Sequence, residues 1–564
     1  MTLSITGKRW EISKRAPRSV FSENADLPPL AVQLLHNRSY KSREQIESVL
    51  NNSEPPHDPF LMSGMEEAVE RILRALHSRE TICVYADYDA DGVSGAAVLI
   101  SMLRSLGADP RSYFPKRLEE GYGLNERAIR AIRESGADVL ISTDCGANAV
   151  REIAVAAELG LDVIVTDHHI VHTELPGAAA AINPHHPGEP YPFDGLAGVG
   201  VAYKLAEAVL LEAEVETAVE AESLLDFVAL GTVADVVSLR GENRWLVREG
   251  LSRLNRSPRA GMAALIDAAG VEPGDVTSTD IAFRLGPRIN AAGRMKDAAI
   301  ALDLLLQPDV ISARRQAAVL NDLNRQRQLA TDGVLDEIST IKPADGPIMA
   351  HGADWPLGVL GLVAGRLVSE TGRPAFVSSG QAGDARGSAR GPEGANVSDV
   401  LKACADVLER FGGHERAAGF SLEPERVGEF HDAVSRYWAQ SDQPESADIT
   451  LSADCRLLPR TISFETLDLH QALEPFGEGF REPVYVTSGL TLGRADRVGN
   501  NQNHLKLMFR DMPGSVSPIW FGMGMVADEL ALGARYDVAF RLGKSWFRGE
   551  PRVDLFVEDM RNAS

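Results

Sequence analysis

The stretch "VYADYDADGVSG", from Val84 to Gly95, places three aspartates on alternate residues directly after an apolar run. Carboxylates this close repel one another, and one of them would normally be driven towards its neutral form unless a cation binds. The preceding letters "TICVYA" are typical of a buried strand, and the following "GVSGAAVLISMLRSLG" of a helix rich in small residues. The acidic turn is therefore expected at the carboxyl end of a strand, where α/β sheets bind ligands.

Two further strand-like stretches end in similar side chains. "DVLISTDCG" carries Asp144, and "LDVIVTDHH" carries Asp167, His168 and His169. The alternation of these stretches with helical segments predicts an α/β domain with a doubly wound, mostly parallel sheet. The carboxyl ends of parallel strands meet at one edge, so we expect these side chains to converge. Asp235 lies farther along, as an acid inside the apolar run "DFVALGTVADVVSL".

This set of side chains predicts a metal site. Carboxylates with one or two imidazoles suit Mn²⁺, Mg²⁺ or Zn²⁺, and the absence of thiolates at these positions disfavours a structural zinc. An EF-hand calcium loop is disfavoured because Val98 stands where that loop needs a glutamate. Two ions about 3.5–4 Å apart that share a bridging aspartate are the usual arrangement for phosphoester hydrolysis.

Composition narrows the class of protein. The 564 residues are enough for roughly three or four domains. No run approaches the ~18 apolar residues of a membrane span, the N-terminus has no apolar signal-peptide core, and the four cysteines form no CxxC pair. We therefore expect a cytoplasmic protein. The net charge of −23 argues weakly against a nucleic-acid partner, but binding depends on a local patch rather than on the whole surface.

Several motifs resemble a known family. "DYDADG", "TDCG", "TDHH" and "VALGTVADVV" resemble the four motifs of the DHH phosphoesterase superfamily, named for the triplet at residues 167–169. "FRLGPRINAAGRM", "LAGVGVAYKL" and "FGGHERAAGF" are similar to its single-strand-specific exonuclease branch, and the resemblance covers nearly the whole chain. It implies a 5′-to-3′ exonuclease that uses two Mn²⁺ or Mg²⁺ ions to degrade single-stranded DNA to mononucleotides in bacterial recombination and DNA repair.

The resemblance also implies an order of domains. We expect a helical extension of the catalytic domain over residues 1–75, a DHH catalytic domain over 76–310 and a connecting helix over 311–342. A second α/β domain (DHHA1) is expected over 343–441 and an OB-fold β-barrel over 447–562. The polar stretch "SDQPESAD" is typical of a linker before the barrel.

The family pattern implies roles for individual residues. The expected metal ligands are Asp87, Asp89, Asp91, Asp144, His168 and Asp235. Asp144 is expected to bridge the ions, and Asp87 either binds an ion or orients a ligand. The expected catalytic residues are His169, Asp144, Asp167 and Arg288. Asp167 is expected to support His168 by a hydrogen bond. His169 either contacts the scissile phosphate or is a buried structural histidine.

Basic and glycine-rich loops are candidates for DNA contact. The candidate residues are Arg117, Tyr122, Asn125, Arg284, Arg288, Asn290, Arg294, Arg386, Ser388, Arg390 and His414. Tyr122, between two glycines, either stacks on a base or anchors the core. In the barrel the choice among Phe480, His504, Lys506 and Trp520 stays open.

The chain departs from the family pattern at two positions. Pro356 follows Trp355 where the family usually has a histidine, and Phe480 stands in place of the more usual asparagine.

Two alternative functions stay open. One alternative is a DHH phosphoesterase for short oligonucleotides or cyclic dinucleotides, and the other is a non-catalytic strand-binding scaffold in replication. The resemblance implies a monomer with no membrane association, with single-strand-binding protein and a RecQ-type helicase as partners.

Overall fold

A computed structural model describes residues 4–117, 120–171, 177–214, 219–340, 346–380, 384–440, 450–499, 501–514, 516–547 and 550–563. The chain divides into two compact units. Unit 1 combines Met1–Pro55 with Asp448–Ser564, and unit 2 is Pro56–Ala447. None of the helices in these described ranges has both the length and the hydropathy that a membrane span requires.

Within the described residues 4–55, one strand and three helices belong to unit 1. These are β1 (Arg9–Ile12), α1 (Arg18–Glu23), α2 (Pro29–Asn37) and α3 (Arg43–Asn51). The buried faces of α2 and α3 join the hydrophobic core of the C-terminal barrel. Arg38, which follows α2, forms a buried ion pair with Asp454 at 2.9 Å. These contacts place residues 1–55 with the C-terminal domain, which differs from the expected extension of the catalytic domain.

A five-stranded parallel sheet forms the centre of unit 2, with the strand order β3-β2-β4-β5-β6. Its strands are β2 (Ile82–Ala86), β3 (Arg111–Tyr113), β4 (Val139–Thr143), β5 (Asp162–Thr166) and β6 (Ala180–Ile182). The helices between them are α4 (Met65–Ser78), α5 (Ala90–Ser105), α6 (Glu126–Glu134) and α7 (Val150–Glu158). Every residue of β2 and β4 is buried, as apolar strands covered on both faces must be. The predicted doubly wound parallel sheet is confirmed.

Helices follow the sheet along the chain. They are α8 (Gly198–Glu212), α9 (Leu225–Ala234), α10 (Gly241–Arg256), α11 (Ala260–Ala268), α12 (Ser278–Asp280), α13 (Gly286–Met295), α14 (Ala299–Leu305) and the 30-residue α15 (Val310–Ser339). A π-helical turn, Ile281–Leu285, connects α12 to α13. The apolar, small-residue helix α5 packs against α8 and α9 in the main core cluster. This packing brings the first residues of α8 and the last of α9 close to the end of β2.

The second α/β domain is also part of unit 2. Its elements are β7 (Ile348–Gly352), α16 (Leu360–Thr371), β8 (Ala375–Ser379), β9 (Ala385–Arg390), α17 (Val397–Ala403), β10 (Arg410–His414), β11 (Ala417–Leu422) and α18 (Val427–Gln440). The strand order is β10-β11-β9-β8-β7, with only β7 and β8 parallel. The edge strand β10 is exposed along its whole length.

The C-terminal part of unit 1 is a β-barrel. Its elements are β12 (Thr450–Ala453), β13 (Cys455–Arg456), α19 (Phe464–Gln471), β14 (Tyr485–Val498), β15 (His504–Phe509), β16 (Val516–Trp520), β17 (Arg535–Phe547) and β18 (Glu550–Asn562). The order β14-β15-β16-β18-β17 closes through pairing of β14 with β17, and β16 lies parallel to β18. The predicted OB-fold is confirmed. The predicted linker at residues 441–448 lies outside the described residues.

Candidate active site

The turn after β2 is stabilised by the side chain of Asp89 and by a glycine at position 92. Asp89 precedes α5, and its Oδ1 accepts hydrogen bonds from the amides of Asp91 (2.9 Å) and Gly92 (3.1 Å). A Cβ at position 92 would lie 2.4 Å from the carbonyl oxygen of Asp87, so the turn requires glycine there. The N-cap and the glycine together explain why this short sequence can place three carboxylates at the end of one strand.

Asp91 is held by the N-terminus of α8. The amides of Gly198 and Val199 donate to its Oδ2 and Oδ1 at 2.7 Å and 2.9 Å. Burial, and then the charge of Asp89, raises the pKa of Asp91 to about 7. The two amides fix the orientation of a carboxylate that is almost completely buried.

Asp144 sits at the end of β4 in a left-handed backbone conformation, with φ of 60°. A Cβ on Gly198 would lie 2.7 Å from the Cβ of Asp144, so the glycine lets α8 approach this residue closely. Burial and the neighbouring Asp91 and Asp89 raise the pKa of Asp144 well above its usual value. The carboxylate is thus surrounded by others of the same charge.

His168 connects the carboxylates at the ends of different elements. Its Nε2 lies 3.2 Å from Oδ1 of Asp144, 3.6 Å from Oδ2 of Asp235 and 3.9 Å from Oδ2 of Asp91. Burial, together with the adjacent His169, lowers the pKa of His168 to about 4, which favours the neutral imidazole that binds metals. Burial and Asp91 raise the pKa of Asp235 to about 9.

These ligand atoms form overlapping groups with the spacing of metal sites. Within each group all atoms lie within 4.8 Å of one another; the groups are Asp87, Asp89 and Asp144; Asp91, His168 and Asp235; and Asp144, His168 and His169. Among the described residues, Oδ1 of Asp87, Oδ1 of Asp144 and Nε2 of His168 are buried without a hydrogen-bond partner. Unpartnered buried acceptors and mutually repelling carboxylates fit divalent cations.

Asp167 serves a different purpose from the metal-type ligands. Its Oδ1 accepts from the amides of His168 and His169 and lies 2.7 Å from Nδ1 of His169, while its Oδ2 accepts from the amide of Ala147 at 2.8 Å. Both oxygens are therefore occupied. The expected hydrogen bond to the ring of His168 is wrong, because the ring that Asp167 supports is that of His169.

His169 faces a cavity of about 520 Å³. The hydroxyl of Tyr122 lies 3.0 Å from its Nε2 and 3.3 Å from the carbonyl oxygen of Asp144. Tyr122 and His414 also line this cavity. Tyr122 is 54% exposed, so the alternative that it anchors the core is wrong.

Comparison with known proteins identifies the family. Family models match three segments: the DHH family, N-terminal domain, at residues 81–232; the DHHA1 domain at 345–440; and the RecJ OB domain at 453–559. The single-stranded-DNA-specific exonuclease RecJ of Bacillus subtilis is 36% identical over 560 residues, which span 98% of this chain and 70% of that protein. The chain belongs to the RecJ family.

Other members of the RecJ family agree with this assignment. RecJ of Escherichia coli is 32% identical over 565 residues, which span 95% of this chain and 96% of that protein. The crystal structure of RecJ in complex with Mn²⁺ from Thermus thermophilus superposes with a TM-score of 0.83 at 28% identity. The superposition covers 99% of this chain and 80% of that one.

Three of the arginines predicted to contact DNA cluster beside the carboxylates of this RecJ-family chain. Arg117 lies over the ring of Tyr88, 4.9 Å from its centroid. Burial, followed by the charge of Arg117, lowers the pKa of Arg294 to about 10 and also lowers that of Arg390. Ser388 accepts a hydrogen bond from Arg390 at 2.9 Å. Guanidinium groups placed near one another can donate charge-assisted hydrogen bonds to one anion.

Other predicted DNA-contact residues make structural contacts. Oδ1 of Asn290 accepts a hydrogen bond from the amide of Ala90 at 2.8 Å and so holds the acidic turn after β2. Asn125 caps α6 by accepting the amide of Ala128. Arg284 pairs with Asp280 at 3.3 Å, and Arg386 pairs with Asp384 at 2.8 Å. DNA contact by these residues stays a prediction.

Arg288 also makes structural contacts. Its guanidinium donates to Asn321 at 3.1 Å and to the carbonyl oxygens of Arg284 and Ala268 at 2.7 Å and 3.4 Å. These bonds tie α13 to α15 and to the end of α11. The catalytic role expected for Arg288 stays a prediction that its contacts do not support.

The sequence did not predict two features, an exposed ring at Phe283 and a left-handed backbone conformation at Val236. Phe283 is 78% exposed in the π-helical turn that precedes α13, and such turns are frequent at functional sites. Val236, directly after Asp235, has φ of 64°, a conformation that costs a β-branched residue about 1–3 kcal/mol. Neither the exposure of Phe283 nor the backbone conformation of Val236 could be predicted, because each is an apolar residue among other apolar residues.

Proposed function

We propose that this chain is a divalent-metal-dependent exonuclease that degrades single-stranded DNA from its 5′ end to mononucleotides. The observation that carries the proposal is the pair of ligand groups that meet at Asp144 and His168 in a member of the RecJ family. The family relatives are named as single-stranded-DNA-specific exonucleases, which supports the substrate class.

The carboxylates and His168 are the residues that would hold the metal ions. Asp87, Asp89 and Asp144 fit one Mn²⁺ or Mg²⁺ ion, and Asp91, His168 and Asp235 fit the second. We assign the bridging position to Asp144, because it belongs to one group and its Oδ1 lies 3.2 Å from the imidazole of the other. Two such ions, when bound, activate a water and stabilise charge on the phosphoryl oxygens.

His169 is the protein group best placed to contact the scissile phosphate. Nδ1 of the ring lies 2.7 Å from Oδ1 of Asp167, the hydroxyl of Tyr122 lies 3.2 Å from Nδ1 and 3.0 Å from Nε2, and His169 lines the cavity. A ring oriented in this way can donate a hydrogen bond to a phosphate oxygen. Tyr122 and His414 complete the wall on which the terminal nucleotide rests.

The arginine cluster is the proposed site for the terminal phosphate. Burial, followed by the charge of Arg117, lowers the pKa values of Arg294 and Arg390, and Ser388 accepts a hydrogen bond from Arg390. A phosphate dianion would relieve this repulsion and receive charge-assisted hydrogen bonds. The 5′ direction is assigned by the resemblance of the motifs to the family.

Two surfaces are proposed to hold the rest of the strand. In unit 2, Phe283 offers an exposed ring beside Arg284, and bases of any sequence stack on such a ring. In the barrel of unit 1, Phe480 and Trp520 are buried and belong to the core, whereas His504 and Lys506 lie on the outer face of β15. Phe521, 54% exposed and 5.1 Å from the ring of His504, extends that face.

Partners beyond DNA are also part of the proposal. Single-strand-binding protein and a RecQ-type helicase would deliver the strand to a monomeric enzyme, as the family resemblance implies. Analytical ultracentrifugation of the chain alone measures its oligomeric state, and the same experiment with each partner protein measures whether the two bind.

The function is tested with a long single strand labelled at either end. With Mn²⁺ we expect a 5′ label to be released at once as mononucleotide and a 3′-labelled strand to shorten progressively, and EDTA to abolish both. An intact long strand together with cleavage of dinucleotides or cyclic dinucleotides would instead support a phosphoesterase for short substrates. Binding of the strand without cleavage would support a scaffold.

A further inference from the structure

A buried asparagine connects the two chain segments that approach the second metal group. Asn243 is completely buried near the start of α10, and its Nδ2 donates to the carbonyl oxygens of Gly195 (2.5 Å) and Ser238 (3.0 Å). Gly195 lies three residues before Gly198, whose amide holds Asp91. Ser238 lies three residues after Asp235.

A buried ion pair makes a second connection between the same regions. Lys204 lies on α8 with none of its side chain exposed, 2.9 Å from Oε1 of Glu242. The hydroxyl of Tyr191 donates to Oε2 of Glu242 at 2.7 Å. Tyr191 belongs to the loop before α8, and Glu242 is the neighbour of Asn243. The start of α10 is therefore joined to the loop by Asn243 and Tyr191, and to the helix itself by Lys204.

The ammonium group of Lys204 and the hydroxyl of Tyr191 are paired although they are remote from solvent, whereas Oδ1 of Asn243 is buried without a hydrogen-bond partner among the described residues. Lys204 also donates to the carbonyl oxygen of His57 at 2.6 Å and to Glu207 at 3.0 Å. A buried lysine is costly unless it is paired, and a buried ion pair is seldom retained for stability alone. The ring of Phe193 packs closely against Gly241 and Gly195, since a Cβ at either glycine would lie 2.8–2.9 Å from the ring. These contacts hold the loop before α8 against the start of α10.

We infer that Asn243, Lys204, Glu242 and Tyr191 are positioning residues for the metal ion held by Asp91, His168 and Asp235. They set the distance between the first amides of α8, which orient Asp91, and the end of α9, which carries Asp235. None of the four touches a ligand atom of that group in any contact among the described residues, so they act through the two chain segments. The inference rests on the metal centre proposed above.

The test compares two asparagines of the same helix. Asn243→Ala removes the bonds to Gly195 and Ser238, while Asn255→Ala removes two bonds of similar length to the backbone of Val276, far along α10 from the metal group. Mn²⁺ binding is measured by titration calorimetry on the full chain, and stability by thermal unfolding in EDTA. We expect Asn243→Ala to weaken the affinity of one Mn²⁺ about 10–100-fold and Asn255→Ala to leave both affinities unchanged.

A milder variant covers the case in which Asn243→Ala does not fold. Tyr191→Phe removes one hydroxyl and is expected to weaken the same Mn²⁺ by a smaller factor, with nuclease activity restored at high Mn²⁺. Unchanged Mn²⁺ affinity in both Asn243→Ala and Tyr191→Phe, or an equal loss in Asn255→Ala, would overturn the inference alone. A wild-type chain that binds no Mn²⁺ would overturn the metal centre and the inference with it.

Discussion

Nε2 of His168 lies 3.2 Å from Oδ1 of Asp144, although the two residues end different strands of the catalytic sheet. The contact joins one group of carboxylates to the other, and Asp235 at 3.6 Å completes the second group. Burial is the largest cause both of the lowered pKa of His168 and of the raised pKa values of Asp144 and Asp235, and the neighbouring carboxylates raise the pKa values of these two acids further. Bound divalent cations would offset the repulsion among these carboxylates.

Gly198 is predicted to tolerate no side chain. In Gly198→Ala the new Cβ meets the backbone and Cβ of Asp144 at 2.7–2.9 Å, so α8 must move and the amides that hold Asp91 move with it. We expect a loss of nuclease activity of more than about 100-fold and weaker Mn²⁺ binding. Gly200→Ala, on the same helix, meets only the flexible side chain of Leu196 at 3.2 Å and should keep at least about half of the activity. Equal activity in both variants would contradict this account of the site.

Asp167 is predicted to affect turnover rather than metal affinity. Both of its oxygens are used by the amides of residues 147, 168 and 169 and by the ring of His169. Asp167→Asn should lower kcat about 10–100-fold while the Mn²⁺ concentration for half-maximal activity changes little. His169→Ala serves as the comparison, since it removes the ring and keeps the carboxylate. If Asp167→Asn weakened Mn²⁺ as much as Asp235→Asn does, Asp167 would have to be counted as a ligand.

Phe283 is predicted to bind the strand by stacking. Phe283→Ala should raise KM for a long single strand about 5–100-fold with little change in kcat, because stacking of one base is worth about 1–3 kcal/mol. Phe283→Tyr keeps the ring and should behave like the wild type. Leu211→Ala is the control for loss of an exposed apolar side chain, since Leu211 is 66% exposed at the end of α8. The same KM in all three variants would show that the exposed ring has another purpose.

Arg390 is predicted to recognise the terminal phosphate. It lies in the arginine cluster with Arg117, whereas Arg386 on the same strand is paired with Asp384. Arg390→Gln should reduce the preference for a 5′-phosphorylated over a 5′-hydroxyl strand about 10–100-fold, the value of one or two hydrogen bonds to a charged group. Arg386→Gln should leave this preference intact. Competition between the two labelled strands in one reaction measures it.

Glu482 is predicted to make the stability of unit 1 depend on pH. Burial alone would raise its pKa, but the hydrogen bonds and charges of His470 and Arg541 lower it below the usual value near 4.5. The ionised group therefore stabilises the folded state above that value, and the contribution is lost as the pH falls through the lowered pKa. Glu482→Gln should cost about 1–2 kcal/mol near neutral pH and progressively less below about pH 4. Amide hydrogen exchange of β17 and β18 measures this unit separately, and a cost that did not change with pH would contradict the assignment.

The candidate metal ligands could be found from the sequence because strand ends are local features. An apolar run followed by Asp or His marks the carboxyl end of a strand, and a parallel sheet brings such ends together regardless of what lies between them. Asp144 and His168 meet for that reason. Asp235 follows a helix instead of a strand, so the motif resemblance was needed to add it to the group.

The contacts that orient these ligands could not be predicted, because they join residues distant in sequence. No local pattern shows that the amide of Gly198 holds Asp91, that Asn290 accepts the amide of Ala90, or that Asn243 bridges two loops. For the same reason, the packing of the first 55 residues against the barrel could not be predicted. Their helices have an apolar face, but the sequence does not say that this face is buried against a barrel at the far end of the chain.

We propose that the ligands centred on Asp144 bind two metal ions and that these ions are required for hydrolysis of a single strand. The most direct measurement follows Mn²⁺ stoichiometry and release of 5′-labelled mononucleotide in the same samples of wild type, Asp235→Asn and Asp144→Asn. We expect two Mn²⁺ per chain and full activity in the wild type, one Mn²⁺ in Asp235→Asn, and weak binding with activity reduced more than about 100-fold in Asp144→Asn. Full activity in Asp144→Asn, or activity in a wild-type chain that binds no Mn²⁺, would contradict the account.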